Sequence, residues 1–332
     1  MQAAPLDVKV ALTRQRIREW VEEFGTDHVY VSFSGGKDST VLLHIVREMY
    51  PDVPAVFCDT GLEYPEIRNF VKGFDNVVWL KPEMTFRQTI EKFGYPFIGK
   101  EVSQQVYEVR KYGKEHARYA YAKFLPDSDY NKKYKGVFCL AKYSFLLSEE
   151  APRISHKCCS VMKKSISKRY GKETGRVPIT GQMASESLLR AQQWMKNGCN
   201  AFESKIPVSN PLSFWLENDI LQYIKDNNIP ICSVYGDIIE ADELPGQMTW
   251  DEYAGFDIGA RKLTTTGCRR TGCMFCGFGC HLEKPGEGRF ELMKTTHPKQ
   301  YEYIMKPWEE GGLGFKEVID WINTNGGLNI RY

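Results

Sequence analysis

Apolar and polar residues alternate along His28-Val29-Tyr30-Val31-Ser32-Phe33, give way to a polar turn with two glycines, and resume as the apolar run Val41-Leu42-Leu43-His44-Ile45-Val46. Alternation followed by a longer apolar stretch predicts a strand, a tight turn and a packed helix. The pattern then repeats. Residues 53–58 read as a second buried strand ending at Asp59-Thr60-Gly61, a helix starts near Pro65, and Val77-Val78-Trp79-Leu80 reads as a third strand. The fixed φ of proline suits a first helical position. Ahead of the first strand, Val8, Ile17, Trp20, Val21 and Phe24 form a helical stripe over residues 8–24. Strands alternating with helices predict an α/β fold with a doubly wound, mostly parallel sheet. Ligands on such sheets bind at the carboxyl ends of the strands, where the 34–39 turn and Asp59 both fall.

Residues 95–150 break the alternation with a mostly helical, charged and aromatic insertion. A strand at 176–181, a helix through Leu188 and Leu189 to Trp194, and a helix over about 217–226 bring it back. From Glu240 the composition turns to glycine, turn residues and cysteine, with helical segments near Phe290, Tyr301 and Phe315. The expected organisation is an α/β domain over 1–235, carrying the insertion, and a cysteine-rich, mostly helical region over 236–332.

The 332 residues carry a formal net charge of +2, so the field of the whole chain does not single out a nucleic-acid partner. Local patches must decide. In the insertion, Lys100, Arg110, Lys111, Lys114, Arg118 and Lys123 interleave with Tyr107, Tyr112, Tyr119 and Tyr121. That composition suits phosphates and stacked bases, although Glu101, Glu108 and Glu115 dilute it toward an ordinary solvated helix pair. No run approaches the roughly 18 apolar residues of a spanning helix, and residues 1–10 have no apolar core. The expectation is a soluble cytoplasmic protein with no membrane contact. Ten cysteines in such a chain favour metal or redox chemistry over a disulfide scaffold.

The turn itself reads Ser34-Gly35-Gly36-Lys37-Asp38-Ser39. Two glycines let the backbone aim N–H groups at one point, where the positive end of the next helix and Lys37 add charge: a phosphate cradle. It is not a Walker loop, which would need glycine at Val31 and a hydroxyl at Asp38. Nor is it the dinucleotide fingerprint, because its two glycines are adjacent. It resembles the PP-loop of the ATP pyrophosphatase superfamily, matching Ser-Gly-Gly-x-Asp-Ser at every fixed position. Asp59-Thr60-Gly61-Leu62-Glu63-Tyr64-Pro65-Glu66 resembles the second motif of phosphoadenylylsulfate (PAPS) reductases within that adenine nucleotide alpha hydrolase-like superfamily. Gly181, Glu186, Ser187 and Arg190 resemble the family's Gly-x-Arg-x-x-Glu-Ser-x-x-Arg, with Met183 where the first arginine is expected. Asn210-Pro211-Leu212, Trp215, Asp219, Tyr223, Pro230 and Tyr235 follow the family's spacing as packing positions. The resemblance spans residues 28–280.

The family resemblance extends to Cys158-Cys159 and Cys273-Met274-Phe275-Cys276, which look like the paired cysteines that hold a [4Fe–4S] cluster in assimilatory adenylylsulfate reductases. Adjacent thiolates reach different irons of a cubane more easily than one tetrahedral zinc, so zinc is the lesser expectation. The alternative set, Cys268, Cys273, Cys276 and Cys280, resembles the late-clustered ligands of DNA-phosphorothioation pyrophosphatases. Cys58, Cys139, Cys199 and Cys232 read as ordinary small residues. The reductases of this family attack with a cysteine in a C-terminal tail, and no cysteine follows Cys280 here.

The resemblance therefore implies an ATP-using PP-loop enzyme that adenylylates an acceptor and supports sulfur transfer with a [4Fe–4S] cluster. Ser34, Gly35, Gly36, Lys37, Asp38 and Ser39 would hold the phosphates, with Lys37 stabilising charge and Asp38 holding Mg2+. Asp59, Thr60, Gly61 and Glu63 would sit beside the adenosine or the acceptor, and Gly181, Glu186 and Arg190 would complete the nucleotide site. The acceptor is open between tRNA, DNA and a small molecule, and a sulfur-donor protein is an expected partner. Two other readings stand beside this one: a sulfonucleotide reductase releasing sulfite, and a regulator that binds nucleotide without turnover.

Overall fold

The structure, a computed structural model, describes residues 1–241 and 262–332. The first part of the turn-rich region predicted from Glu240, residues 242–261, lies outside the described residues. In chain order, helix α1 (Leu6–Phe24) precedes strand β1 (Val29–Ser32), followed by α2 (Lys37–Met49), β2 (Ala55–Cys58), α3 (Pro65–Lys72) and β3 (Val77–Leu80). Next come α4 (Phe86–Phe93), the short β4 (Phe97–Ile98), and α5 (Lys100–His116), α6 (Arg118–Ala122) and α7 (Asp129–Lys133) of the insertion. Then follow α8 (Ser165–Thr174), β5 (Val177–Thr180), α9 (Leu188–Asn197), β6 (Asn200–Ala201), β7 (Val208–Ser209) and α10 (Glu217–Asp226). Strands β8 (Ile238–Glu240), β9 (Leu263–Thr265) and β10 (Gly277–Phe278) precede helices Arg289–Thr296, Pro298–Met305 and Phe315–Gly326.

Two compact units result, and neither is a continuous stretch of chain. One comprises Met1–Asp59, Glu63–Lys81 and Ile166–Gly272; the other comprises Thr60–Leu62, Pro82–Ser165 and Cys273–Tyr332. The division thus differs from a single boundary near 235, because the insertion and the last sixty residues fold into the same unit. Among the described residues no helix is long and apolar enough to cross a membrane.

The first unit holds a six-stranded sheet in the order β3-β2-β1-β5-β7-β6, parallel except where β6 meets β7. Period-two alternation sorts its side chains. Val29, Val31, Ala55 and Phe57 enter the main core with the buried face of α2, whereas Tyr30 and Val56 face the other way and meet Tyr170 of α8. Helices therefore cover both faces, and the α/β class expected of the sequence holds. The β6–β7 hairpin and the β8–β9 pair were not legible in the sequence pattern, being only two or three residues per strand.

The inward stripe of α1 runs through Lys9, Thr13, Ile17, Trp20 and Val21, while Val8, expected inside, is 42% exposed. Polar partners explain the shift. Lys9 Nζ meets Asp219 Oδ2 at 2.6 Å, and the same oxygen accepts the Leu216 N–H at 2.6 Å at the entry to α10. Trp215 Nε1 donates to Thr13 Oγ1 at 2.9 Å. A hydrophobicity pattern cannot anticipate a lysine that is buried because a carboxylate waits for it.

The second unit is organised around aromatic rings. β4 and β10 pair in parallel, Gly277 with Phe97 and Phe278 with Ile98, and Phe97, Phe290 and Phe315 pack with centroids 5.2 to 6.4 Å apart. A Cβ on Gly277 would lie 2.4 Å from the Phe97 ring, so only glycine fits beside it. Removing one partner of a buried ion pair leaves an uncompensated charge, so Lys9→Met is expected to destabilise the first unit by about 3 kcal/mol. Urea denaturation checks it, and a shift no larger than that of an exposed lysine substitution would show the pair to be unimportant.

Candidate functional site

Residues Ser34 to Ser39 form the turn between β1 and α2. Gly35 takes φ +72°, and a Cβ there would stand 2.8 Å from Val71 and 2.9 Å from Ile67 of α3. Glycine is demanded twice over, by backbone hand and by space. Gly36 caps α2, and Ser39 Oγ donates to its carbonyl at 2.9 Å while accepting the Ser34 N–H at 3.1 Å. The N-terminus of a thirteen-residue helix thus opens at the carboxyl end of β1, with its partial positive charge facing outward. Gly181, at the end of β5, lets that strand approach: a Cβ there would be 3.1 Å from the Asp38 carbonyl oxygen.

Charges gather at this helix end. Lys37 is buried, its Nζ donating to the Arg269 carbonyl at 2.7 Å and meeting Glu217 Oε1 at 3.1 Å. The Lys37 N–H donates to the Tyr235 hydroxyl at 3.2 Å, which is 2.7 Å from Thr271 Oγ1. Burial pushes the Tyr235 phenol up to about 12. Asp38 Oδ1 is sealed from solvent without a hydrogen-bond partner. That burial raises the Asp38 carboxyl, against the pull of Lys37, Arg270 and Arg190 and with the push of Glu217. Glu186 accepts the Met183 N–H at 2.9 Å, pairs closely with Arg190, and lies 3.8 Å from Arg270.

Asp59 closes β2, its N–H donating to the Leu80 carbonyl at 2.8 Å. Arg68 Nη2 holds its Oδ2 at 2.9 Å, while Oδ1 is buried and unpartnered. In the adjoining turn Thr60 and Glu63 are buried, Gly61 is exposed at φ +74°, and the Leu62 N–H donates to Thr60 Oγ1 at 3.2 Å.

Within the first unit the structure brings Lys37, Asp38, Gly181, Glu186 and Arg190 to the same helix end. Sequence reasoning missed Tyr235, read as packing, and also Thr271, Glu217 and Arg68. Arg68 had a weak signal, a cation one turn into the helix behind Asp59. Lys37 is directed differently from the expectation: its ammonium is held by a carbonyl and a carboxylate. Met183, standing where the family pattern has arginine, is a buried core residue. A cavity of about 240 Å³ beside the site is lined by Arg190, Met183, Trp194, Asn197 and Asn210 among others.

The thiols divide between the units. Cys158, Cys159, Cys273 and Cys276 all belong to the second unit, whereas Cys268 belongs to the first, where its N–H donates to the Val234 carbonyl at 2.9 Å. Burial raises the Cys158 thiol, and Cys273, Cys159 and Cys276 push it further. Arg289 donates to the Cys276 carbonyl at 2.6 Å and is held by Glu283 at 2.6 Å. Cys280 is buried with its Sγ 2.8 Å from the Gly277 carbonyl, and burial pushes its thiol up to about 12. Among the described residues, no group of three or more His, Cys, Asp or Glu side chains converges to hold a metal ion.

The family model for the phosphoadenosine phosphosulfate reductase domain matches residues 28–124 and 74–277. The chain belongs to this family, within the adenine nucleotide alpha hydrolase-like superfamily, and the family supports a sulfur-related nucleotide-binding function. Similarity to individual curated proteins is local. An uncharacterized protein of Methanocaldococcus jannaschii is 32% identical over 117 residues, 34% of this chain and 25% of that protein. The phosphoadenosine 5'-phosphosulfate reductases of Xylella fastidiosa 9a5c and Buchnera aphidicola Tuc7 are 41% and 43% identical over 51 and 60 residues, or 15% and 18% of this chain and 22% and 24% of theirs. The chain thus spans about a quarter of the length of these relatives. A crystal structure of PAPS reductase from Candida auris, a phosphate complex, aligns over 67% of this chain and 82% of that one, at 17% identity and a TM-score of 0.37.

The folded protein holds a proton on Asp38 more tightly than the unfolded chain does, so stability falls as pH rises from the ordinary carboxylate range through the raised value. Asp38→Asn is expected to flatten that fall and to leave ligand-free protein more stable than the parent at neutral pH. Urea denaturation across pH checks this; an unchanged pH limb would count against a raised Asp38 carboxyl.

Proposed function

We propose that this protein is a PP-loop enzyme that binds ATP with Mg2+ and transfers the adenylyl group to an acceptor, in support of sulfur transfer. The observation that carries the reading is Asp38: a carboxylate oxygen buried without a hydrogen bond at the positive end of α2, 4.0 Å from the Lys37 ammonium. Asp38 would hold Mg2+, which takes one or two carboxylates together with substrate phosphates and would supply positive charge for the phosphate groups. The N–H groups of the Gly35 and Gly36 turn would face the β- and γ-phosphates. An acceptor oxygen attacks the α-phosphorus, the bond to the bridging oxygen breaks, and pyrophosphate leaves into the field of the helix end and Lys37. For Lys37 to serve there, phosphate oxygens replace Glu217 or the Arg269 carbonyl as its partners. Arg68 would keep one Asp59 oxygen fixed and leave the other for the nucleotide or the acceptor.

Cys158, Cys159, Cys273 and Cys276 would hold a [4Fe–4S] cluster. Two cysteine pairs drawn into one unit suit a group in which each thiolate binds a different iron. Such a cluster supplies thiolate-bound iron for electron or sulfur chemistry. The alternative set is less favoured, because Cys268 packs in the other unit. A second reading, a reductase releasing sulfite from a sulfonucleotide, draws on the family match itself; the buried Met183 in place of an arginine speaks against it.

Purified protein handled anaerobically is expected to release pyrophosphate from ATP in the presence of its acceptor, and Lys37→Ala to lower the rate at least a hundred-fold, about 2.7 kcal/mol of transition-state stabilisation. Sulfite from either sulfonucleotide with a thiol reductant, and no pyrophosphate with a broad range of acceptors, would favour the second reading. Iron analysis with the visible spectrum should show a broad brown absorption that Cys276→Ser removes and Cys268→Ser leaves. The reverse pattern would reinstate the alternative ligands.

A further inference from the structure

We propose that the outer surface of α5, α6 and α7 binds single-stranded nucleic acid. Cations and rings alternate along it. Lys111 Nζ lies 5.6 Å from the centroid of Tyr107 and 4.9 Å from that of Tyr112, and Lys157 lies 5.5 Å from the same Tyr107 ring. Lys114, 5.2 Å from Tyr121, carries the pattern from α5 to α6. Beyond it, Tyr130 and Tyr134 sit 4.8 Å apart, Tyr134 and Phe138 5.6 Å apart, and Lys133 lies 5.5 Å from Tyr134.

Exposure separates this surface from an ordinary solvated helix pair. Tyr119 is 75% exposed and Tyr112 53%, so these rings contribute little to the core while leaving π-faces open. Charge is concentrated here as well. Residues 100–143 hold ten Lys and Arg against five Asp and Glu, an excess larger than the +2 of the whole chain, so the remainder is net acidic. Two of the cations are committed elsewhere, Arg110 to the Ala151 and Pro152 carbonyls and Lys123 to Glu101. Lys111, Lys114, Lys132, Lys133 and Lys135 remain exposed.

Ammonium groups spaced among open rings match one ligand chemistry: a flexible polyanion that also offers flat aromatic faces. Single strands provide that, because their bases are free to stack on tyrosine while lysines follow the backbone phosphates. A duplex hides its bases within the stack, and an acidic peptide would leave the rings unused. The surface lies within the second unit and its binding needs no ATP, so the inference stands apart from the adenylylation reading.

Fluorescence anisotropy with labelled single-stranded DNA, single-stranded RNA and the corresponding duplexes, on the full chain without nucleotide, tests it. Single strands should bind more tightly than duplexes, and preference for one sugar would name the source. Tyr112→Leu and Tyr119→Leu should each weaken binding roughly five- to a hundred-fold with the salt slope unchanged. Lys111→Gln with Lys114→Gln should lower the slope of log K against log salt by about 1.4. Circular dichroism and gel filtration matching the parent would show that these surface variants fold. No single-strand binding at low salt, equal binding of duplexes, or affinity unmoved by both tyrosine substitutions would overturn the proposal.

Discussion

The left-handed turn at Gly35 is the constraint on which the first unit's chemistry rests. Its φ of +72° and the closeness of Val71 and Ile67 leave no room for a side chain, so the backbone itself forms the floor of the site. That turn drives the chain from β1 straight into α2, whose buried face runs through Val41, Leu42, Ile45 and Val46. A helix so deeply packed cannot easily pivot, and its N-terminus is therefore held at the carboxyl end of the sheet. The phosphate recognition proposed for these backbone N–H groups depends on such rigidity, because the donors must already point at the ligand before it arrives.

Burial then decides what the charges around that helix end can do. Lys37 and Asp38 are adjacent in sequence yet meet different fates: the ammonium finds Glu217 and a carbonyl, while one carboxylate oxygen is buried with no hydrogen bond and with that ammonium 4.0 Å away. Elsewhere in the same unit, Lys9 and Asp219 show the satisfied form of a buried charge, paired and further hydrogen-bonded. The contrast marks Asp38 as a carboxylate whose burial is incompletely compensated. Such a deficit is expected where a ligand supplies the missing partner.

The thiols obey a different logic. Cys158 and Cys159 lie more than a hundred residues from Cys273 and Cys276 in the chain, but the insertion and the C-terminal region fold together. Gly277 packed on Phe97, and Arg289 bound to the Cys276 carbonyl, fix the second pair from the backbone side. The rings of the same unit fall into two classes: Phe97, Phe290 and Phe315 are sealed inside, whereas Tyr112 and Tyr119 stand out.

Local rules were enough for much of this. Alternation located β1, and apolar runs bounded by turns located β2, β3 and β5; a proline start and a helical stripe located α3 and α1; and the Gly-Gly-Lys-Asp sequence located the tight turn between β1 and α2, because such turns are properties of a few consecutive residues. The short hairpin of β6 and β7, the inward turn of Lys9 instead of Val8, and the union of the insertion with the C-terminal region were beyond such rules. So were Tyr235, Thr271, Glu217 and Arg68, each distant in sequence from the group it touches or without a pattern of its own. Sequence by itself determined the kinds of element and the residues able to bear chemistry, since those follow from side-chain type and local period. Only the tertiary structure decided which carboxylate oxygen was buried without a hydrogen bond and which thiols share a unit, because desolvation and Coulomb interaction depend on distance in space, which the chain's order does not encode locally.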